Sequence, residues 1–343
     1  MNNLGVNVQR SKAISWWLLV TLVLVMAMIV LGGATRLTNS GLSITEWKPI
    51  TGALPPLSHE AWLAEFEKYK QIPEFEAEHP DMTLIGFEFI YFMEWSHRQL
   101  GRIIGLVYTL LFFYFLLRGK IKGQALKYFS IVLLIGVQGA IGWWMVYSGL
   151  SNDRVDVSQY RLATHLGVAF VILGLLFWFW RDSVEGQAEK SATADMSNRA
   201  KLLAGLIYVQ IIAGAFVAGT HSGKTYNTWP LMDGGFVPSG YFVQSPFWRN
   251  VFENSAAIQF NHRILAYIIV AVVIWVAMSS RRTQHLKKPA GVLLALIIWQ
   301  VVLGIWTLLK VAPLNLSLLH QFSSILVFLA ALWLWRHASR GRT

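Results

Sequence analysis

Four histidines have a type and spacing that could do chemistry: His97 in EWSHRQLGR, His165 in LATHLG, His262 in QFNHRILAY and His320 in LSLLHQFSS. Each sits at the start of an apolar run long enough to cross a membrane. An imidazole in hydrocarbon is costly without a partner, so its first reading is functional. One interfacial histidine can simply hydrogen-bond a carbonyl, but four in two matched pairs point to shared ligands. Facing helices of a bundle can grip one planar ligand between two imidazoles, which is the chemistry of bis-histidine heme. Zinc fits less well. A structural site takes four ligands and a catalytic site usually three, yet neither pair has a third histidine at its level, and His221 lies in a loop beyond the spans. His59, His79, His285 and His337 lie in loops or tails and carry no pattern. The chain has no cysteine, which excludes disulfides, thiolate zinc sites, iron–sulfur clusters and covalently attached heme.

The neighbours of these histidines sharpen the reading. Arg98 and Arg263 directly follow His97 and His262, and Arg102 is one turn further on. A guanidinium pairs bidentately with carboxylates such as heme propionates; the alternative is an arginine snorkelling to the interface. Glu94 lies three residues before His97 on the same helix face. The second-half equivalent is Gln259. A carboxylate can move protons or stabilise charge at an oxidised carbon, and an amide cannot; the plainer role for Glu94 is to pair Arg98. This difference predicts two unequal sites, a reactive first one and a second with a permanent heme for electron transfer.

The elements that must position these residues are helices. The chain has 343 residues, 55% of them hydrophobic and 14% charged, against roughly 25% charged in soluble domains, and its mean hydropathy is +0.47. Eight apolar runs, near 14–33, 97–117, 126–147, 161–180, 202–219, 262–279, 290–309 and 316–335, approach the 20 or so residues that cross about 30 Å of hydrocarbon. The expected fold is all-α and integral to the membrane, with eight transmembrane helices as two parallel, pseudo-symmetric four-helix bundles. Residues 1–180 form the first, with a large outer loop over 36–94; residues 181–199 form a cytoplasmic linker; residues 200–343 form the second.

The duplication is visible in matched landmarks. Ser40 runs to Trp47 and Ser222 to Trp229 at the same spacing. His97-Arg98 matches His262-Arg263, Gln138-x3-Gly142 matches Gln300-x3-Gly304, and His165 matches His320. Four spans per half make the repeats parallel, related by an axis along the membrane normal. At 1.5 Å per residue the four histidines lie roughly 24–31 Å from the basic residues that end their helices, in the outer part of the bilayer. Gly101, Gly105, Gly139, Gly142, Gly167, Gly214 and Gly304 allow close helix approach.

The net charge of +11 is an orientation signal and not a nucleic-acid footprint. Lys and Arg gather before the first span and after the second, fourth, sixth and eighth, as at Lys120, Lys122, Arg281 and Arg282. Alternation puts these segments on one side, and the positive-inside rule places both termini in the cytoplasm. The acid-rich stretch from Glu60 to Glu88 reads as a solvated helix pair in the first outer loop, with a docking patch for a basic donor protein as the alternative.

The segments GGATRLTNSGLSITEWKPITGALPP (32–56), EWSHRQLGR (94–102) and QFNHR (259–263), with the THLG and LLHQ histidines, give the chain a resemblance to the heme A synthase family, of the kind without outer-loop cysteines. The resemblance covers nearly the whole chain. It implies an oxidoreductase that converts the C8 methyl of heme O to a formyl group through a hydroxylated intermediate, making heme A for terminal oxidases, with the new oxygen drawn from water. It implies a heme b cofactor on His262 and His320, a substrate heme on His97 and His165, and Glu94 as the associated catalytic acid. It implies a bacterial plasma membrane, with a heme O synthase and an electron acceptor as partners. Residue spacing alone reaches two hemes in unequal sites. Alternatives are a diheme b-type cytochrome that only passes electrons, and a transporter with histidines in a proton path.

Overall fold

The structure is a computed structural model that describes residues 11–48, 50–151, 154–185 and 194–339. Lys190 and most of the proposed linker, and Arg10, Arg340 and Arg342 of the termini, lie outside the described residues. Eight helices are long and apolar enough to span a membrane. In the first half these are α1 (Lys12–Leu37), α4 (Leu84–Leu117), α5 (Ala125–Gly149) and α6 (Gln159–Glu185); in the second, α7 (Ala194–Gly219), α9 (Ser255–Ser280), α10 (Gln284–Leu309) and α11 (Leu314–Ala338). Short helices α2 (His59–Tyr69), α3 (Pro73–Glu78) and α8 (Arg249–Glu253) lie in the loops between. No strand occurs among the described residues. The chain is a multi-pass all-α membrane protein, and helices suit a lipid environment because they pair backbone groups within one segment.

Contacts between elements follow the duplication. In the first half α1 packs on α4 and α6, and α5 packs on both; in the second α7 packs on α9 and α11, and α10 packs on both. The halves meet where α6 touches α7 and α1 touches α11, and these are equivalent contacts under the repeat, with α6 against α11 between them. Tyr108, Phe170, Leu173, Leu176, Leu203 and Leu293, fully buried, belong to one apolar core shared by both halves. At one end the join is ionic: Arg336 of α11 is 0% exposed and reaches Asp182 of α6 at 2.5 Å, and Lys127 of α5 reaches the same carboxylate at 2.7 Å.

Helix α4 departs from the sequence expectation. Its apolar run begins near His97, but the helix starts at Leu84, capped by the Thr83 hydroxyl accepting from the Gly86 amide. At 1.5 Å per residue its 34 residues measure about 51 Å, well beyond the hydrocarbon thickness. The extra turns are held by packing: Phe87 stacks on Phe66 of α2 at 4.9 Å, and Tyr91 meets Trp62 edge-on at 5.0 Å. This small outer core encloses Ile44, Tyr69 and Ile90 as well. The α2–α3 pair is therefore helical as expected but not wholly solvated. Glu74 is 3% exposed, and burial beside Glu94 and Asp156 pushes its carboxyl up to about 8.

Candidate functional site

Each of the four histidines faces a glycine on a neighbouring helix, and the glycine is what makes room for the ring. A Cβ at Gly32 of α1 would stand 2.7 Å from Cε1 of His97, and one at Gly142 of α5 would stand 2.9 Å from Cε1 of His165. In the second half Gly214 of α7 and Gly304 of α10 do the same for His262 and His320, at 3.3 and 2.9 Å. Gly32 and Gly214 each lie five residues before the last residue of their helix, so they are equivalent under the repeat.

The rings of the first pair lie close together. The His97 and His165 ring centroids lie 6.5 Å apart at an interplanar angle of 48°. Two opposed imidazoles, each bonded to one metal at about 2 Å, hold their centroids roughly 6 Å apart. His262 and His320 lie on α9 and α11, the second-half equivalents of α4 and α6. All four rings are only partly covered by protein. Nδ1 of His97, His165 and His262 is buried without a hydrogen-bond partner, and such a nitrogen calls for a partner the chain does not supply. Paired rings, glycine clearances and orphaned nitrogens together fit an iron macrocycle held between helices. Among the described residues no three His, Cys, Asp or Glu side chains converge on a metal position.

Glutamines support the ligand residues. One turn before Gly142, Gln138 donates to the His165 carbonyl at 3.0 Å. One turn before Gly304, Gln300 donates to the His320 carbonyl at 3.1 Å and reaches its ring nitrogens at 3.3 Å. A third case, which the sequence reading passed over, is Gln210 one turn before Gly214. It donates to the His262 carbonyl at 2.9 Å and reaches its Nε2 at 3.2 Å. The repeated Gln-x3-Gly spacing was the available signal.

Glu94 is buried, 3% exposed. One oxygen accepts from the Ser43 hydroxyl at 2.9 Å and the Ile44 amide at 2.8 Å; the other pairs Arg98 Nη2 at 2.6 Å. Arg98 also donates to the carbonyls of Ile44 and Glu46. The second half repeats this lock in register: Arg263 donates to Gln259 at 2.7 Å and to the carbonyls of Tyr226 and Thr228, while Gln259 donates to the Ser222 carbonyl at 2.6 Å. Arg102 engages Gln99 and the Lys48 carbonyl. The arginines thus tie each first-ligand helix to its outer loop, a role the sequence reading had not assigned them. Arg98 and Arg102 also line a small cleft with Ile44, Lys48 and Tyr91.

His221 leaves the histidine sites altogether. With φ of 53° it turns its Nε2 to Arg36 and Asp156, each at 2.7 Å. Arg36 pairs Asp156 at 2.7 Å, so this cluster links the outer ends of the two halves. Burial raises the Asp156 carboxyl, but the His221 hydrogen bond and the Arg36 charge outweigh it and hold it below its ordinary value.

Comparison with known proteins finds relatives along nearly the whole chain. Residues 15–332 match the cytochrome oxidase assembly protein family. A protein from Maricaulis maris named "Heme A synthase" is 52% identical over 96% of this chain and 98% of its own length. Proteins of the same name from Dinoroseobacter shibae and Parvibaculum lavamentivorans are 48% and 46% identical, covering 91% and 94% of this chain and 84% and 93% of theirs. The chain therefore belongs to the cytochrome oxidase assembly protein family.

Proposed function

We propose that this protein makes heme A by oxidising the C8 methyl of heme O to a formyl group through a hydroxylated intermediate. The observation that carries the reading is two histidine pairs at equivalent positions of the two halves, one beside a buried carboxylate and the other beside an amide. Relatives named for heme A synthesis favour this over a cytochrome that only passes electrons.

The first half, residues 1–180, takes the substrate heme between His97 and His165. The second, residues 200–343, holds heme b between His262 and His320, and that group supplies one-electron chemistry when bound. Converting CH3 and water to CHO releases four electrons and four protons, so the site needs an electron outlet and a proton outlet. His97 and His165 fix the macrocycle, with their glycines setting the depth at which each ring sits. Glu94 places a fixed negative charge, backed by Arg98, at the level of the first ligand, where positive charge developing at the oxidised carbon is stabilised. Ser43 and the Ile44 amide hold that carboxylate in one orientation. Both termini lie on the cytoplasmic side, heme O arrives from a heme O synthase, and the electrons leave to a separate acceptor.

The test is expression beside a heme O source followed by pigment extraction. Hydroxylated and formylated hemes should appear with the intact chain and vanish with His97→Ala. Heme O persisting unmodified beside intact protein would return the chain to the electron-transfer reading.

A further inference from the structure

Three of the four ligand histidines are held by the same device. A glutamine one turn before the clearing glycine donates to the ligand's own carbonyl: Gln138 to His165, Gln210 to His262, Gln300 to His320. The fourth histidine breaks the pattern. One turn before Gly32, the α1 position that Gln210 occupies in α7 is Met28. Its methyl group packs on α4 one turn beyond His97, 3.3 Å from where a Cβ at Gly101 would stand. A thioether is a weak acceptor and donates nothing. The glycine clearance, the arginine at the next residue and its bonds to the outer loop recur in both halves; the other difference beside the pair is Glu94 in place of Gln259, which bonds to the loop and not to the ligand's carbonyl.

We propose that Met28 makes His97 the releasable ligand, so that the first crevice exchanges its heme while the glutamine-latched second crevice keeps its own. This rests on the reading that His97 and His165 take the substrate. A substrate must enter and a product must leave; a resident cofactor must do neither. A side-chain amide on the ligand carbonyl fixes that turn of helix against its neighbour. Removing it lets the α1–α4 contact slide on a flexible methionine, which adapts its shape at low cost. Met28 is a positioning residue: it acts through His97 and touches no reacting atom.

The experiment measures heme release from the full chain in nanodiscs to excess apomyoglobin, after expression beside a heme O source. Met28→Gln restores the amide, and Met28→Leu supplies the comparison that keeps an apolar side chain without a donor. One hydrogen bond corresponds to about fivefold in rate. We expect heme O and its oxidised products to leave Met28→Gln about fivefold more slowly than Met28→Leu, with those pigments accumulating on the protein and heme b release unchanged. The reciprocal Gln210→Met should speed heme b loss by about fivefold and leave first-crevice release alone. Equal release from Met28→Gln and Met28→Leu overturns the proposal, and so does a Gln210→Met variant that keeps heme b as the parent does. The reciprocal variant keeps the test decisive if Met28→Gln does not fold. If the pigment that exchanges does not depend on His97, the assignment of the substrate crevice fails, and the latch is judged on Gln210 alone.

Discussion

The two crevices share a frame and differ in what borders it. In both, a histidine on the second span sits in a glycine notch, and the arginine after it reaches the outer loop at equivalent carbonyls, Ile44 and Glu46 in one half, Tyr226 and Thr228 in the other. Beside that frame the first crevice has Glu94 and Met28 where the second has Gln259 and Gln210. The loops diverge too: a two-helix cap packs on α4, whereas the second loop is mostly irregular, with Asn254 donating to the carbonyls of Gly240 and Tyr241. Duplication kept the paired histidines and their glycine notches and varied the side chains around them. The second half is therefore an internal control for the first.

The largest effect that would sharpen this contrast is loss of one of the four histidines. His262→Ala or His320→Ala should abolish the heme b signal in a reduced-minus-oxidised spectrum and stop turnover. His97→Ala should leave that signal in place and remove only the heme O-derived pigments. If either second-half variant retains a normal heme b spectrum, the assignment of that cofactor to α9 and α11 is wrong.

Glu94→Gln comes next. Gln259 shows that an amide fits this position against the following arginine, so the variant should fold and keep heme b. Loss of a charge placed at the reacting group should lower heme A formation by about 100-fold or more. Turnover within a few-fold of the parent would reduce Glu94 to a loop anchor, the role its bonds to Ser43 and Ile44 already describe.

Smaller effects should follow the glycine clearances. A methyl at Gly304 would meet His320 at 2.9 Å, while one at Gly214 would meet His262 at 3.3 Å. Gly304→Ala should shift the heme b absorption and weaken its retention several-fold, since core overpacking of this kind forces a ring off its rotamer. Gly214→Ala should do less. Equal spectra for the two variants would mean that the rings move freely and that the notches do not set ligand position.

The smallest effect concerns the outer cap. The Glu74 carboxyl is raised from an ordinary carboxylate value to about 8. The folded state therefore binds a proton that the unfolded cap gives up at lower pH. Its stabilisation is full below the unfolded value, falls as pH rises and is gone above about 8. Proteolysis of the α2–α3 segment should accelerate as pH rises from about 5 to about 8, and Glu74→Gln should flatten that dependence. An unchanged pH profile in the variant would assign the effect to another group.

Much of the frame was legible because hydrophobic periodicity and a duplicated landmark set are local properties of sequence. The spans, the paired histidines and two of the Gln-x3-Gly notches could be read directly. Three things could not. Glu74 sits in the acidic run EFEAEHP, where charge suggests water, and only the packing of α3 against α2, with Phe75 on Phe66 and Tyr69, folds it into the cap. Arg36, Asp156 and His221 come together across 120 and 65 residues of chain, a closure set by tertiary packing and not by any motif. The arginines after His97 and His262 read as propionate partners, and the loop carbonyls that the fold also gives them are set by tertiary packing that no motif announces.

The most direct test of unequal crevices is the pigment content of purified protein made beside a heme O source, compared between the parent, His97→Ala and His262→Ala. The account predicts that the first variant loses heme O, its hydroxylated product and heme A while keeping heme b, and that the second loses heme b. If both variants lose the same pigments in the same proportion, the crevices are equivalent and the division between a reacting and a resident heme is wrong.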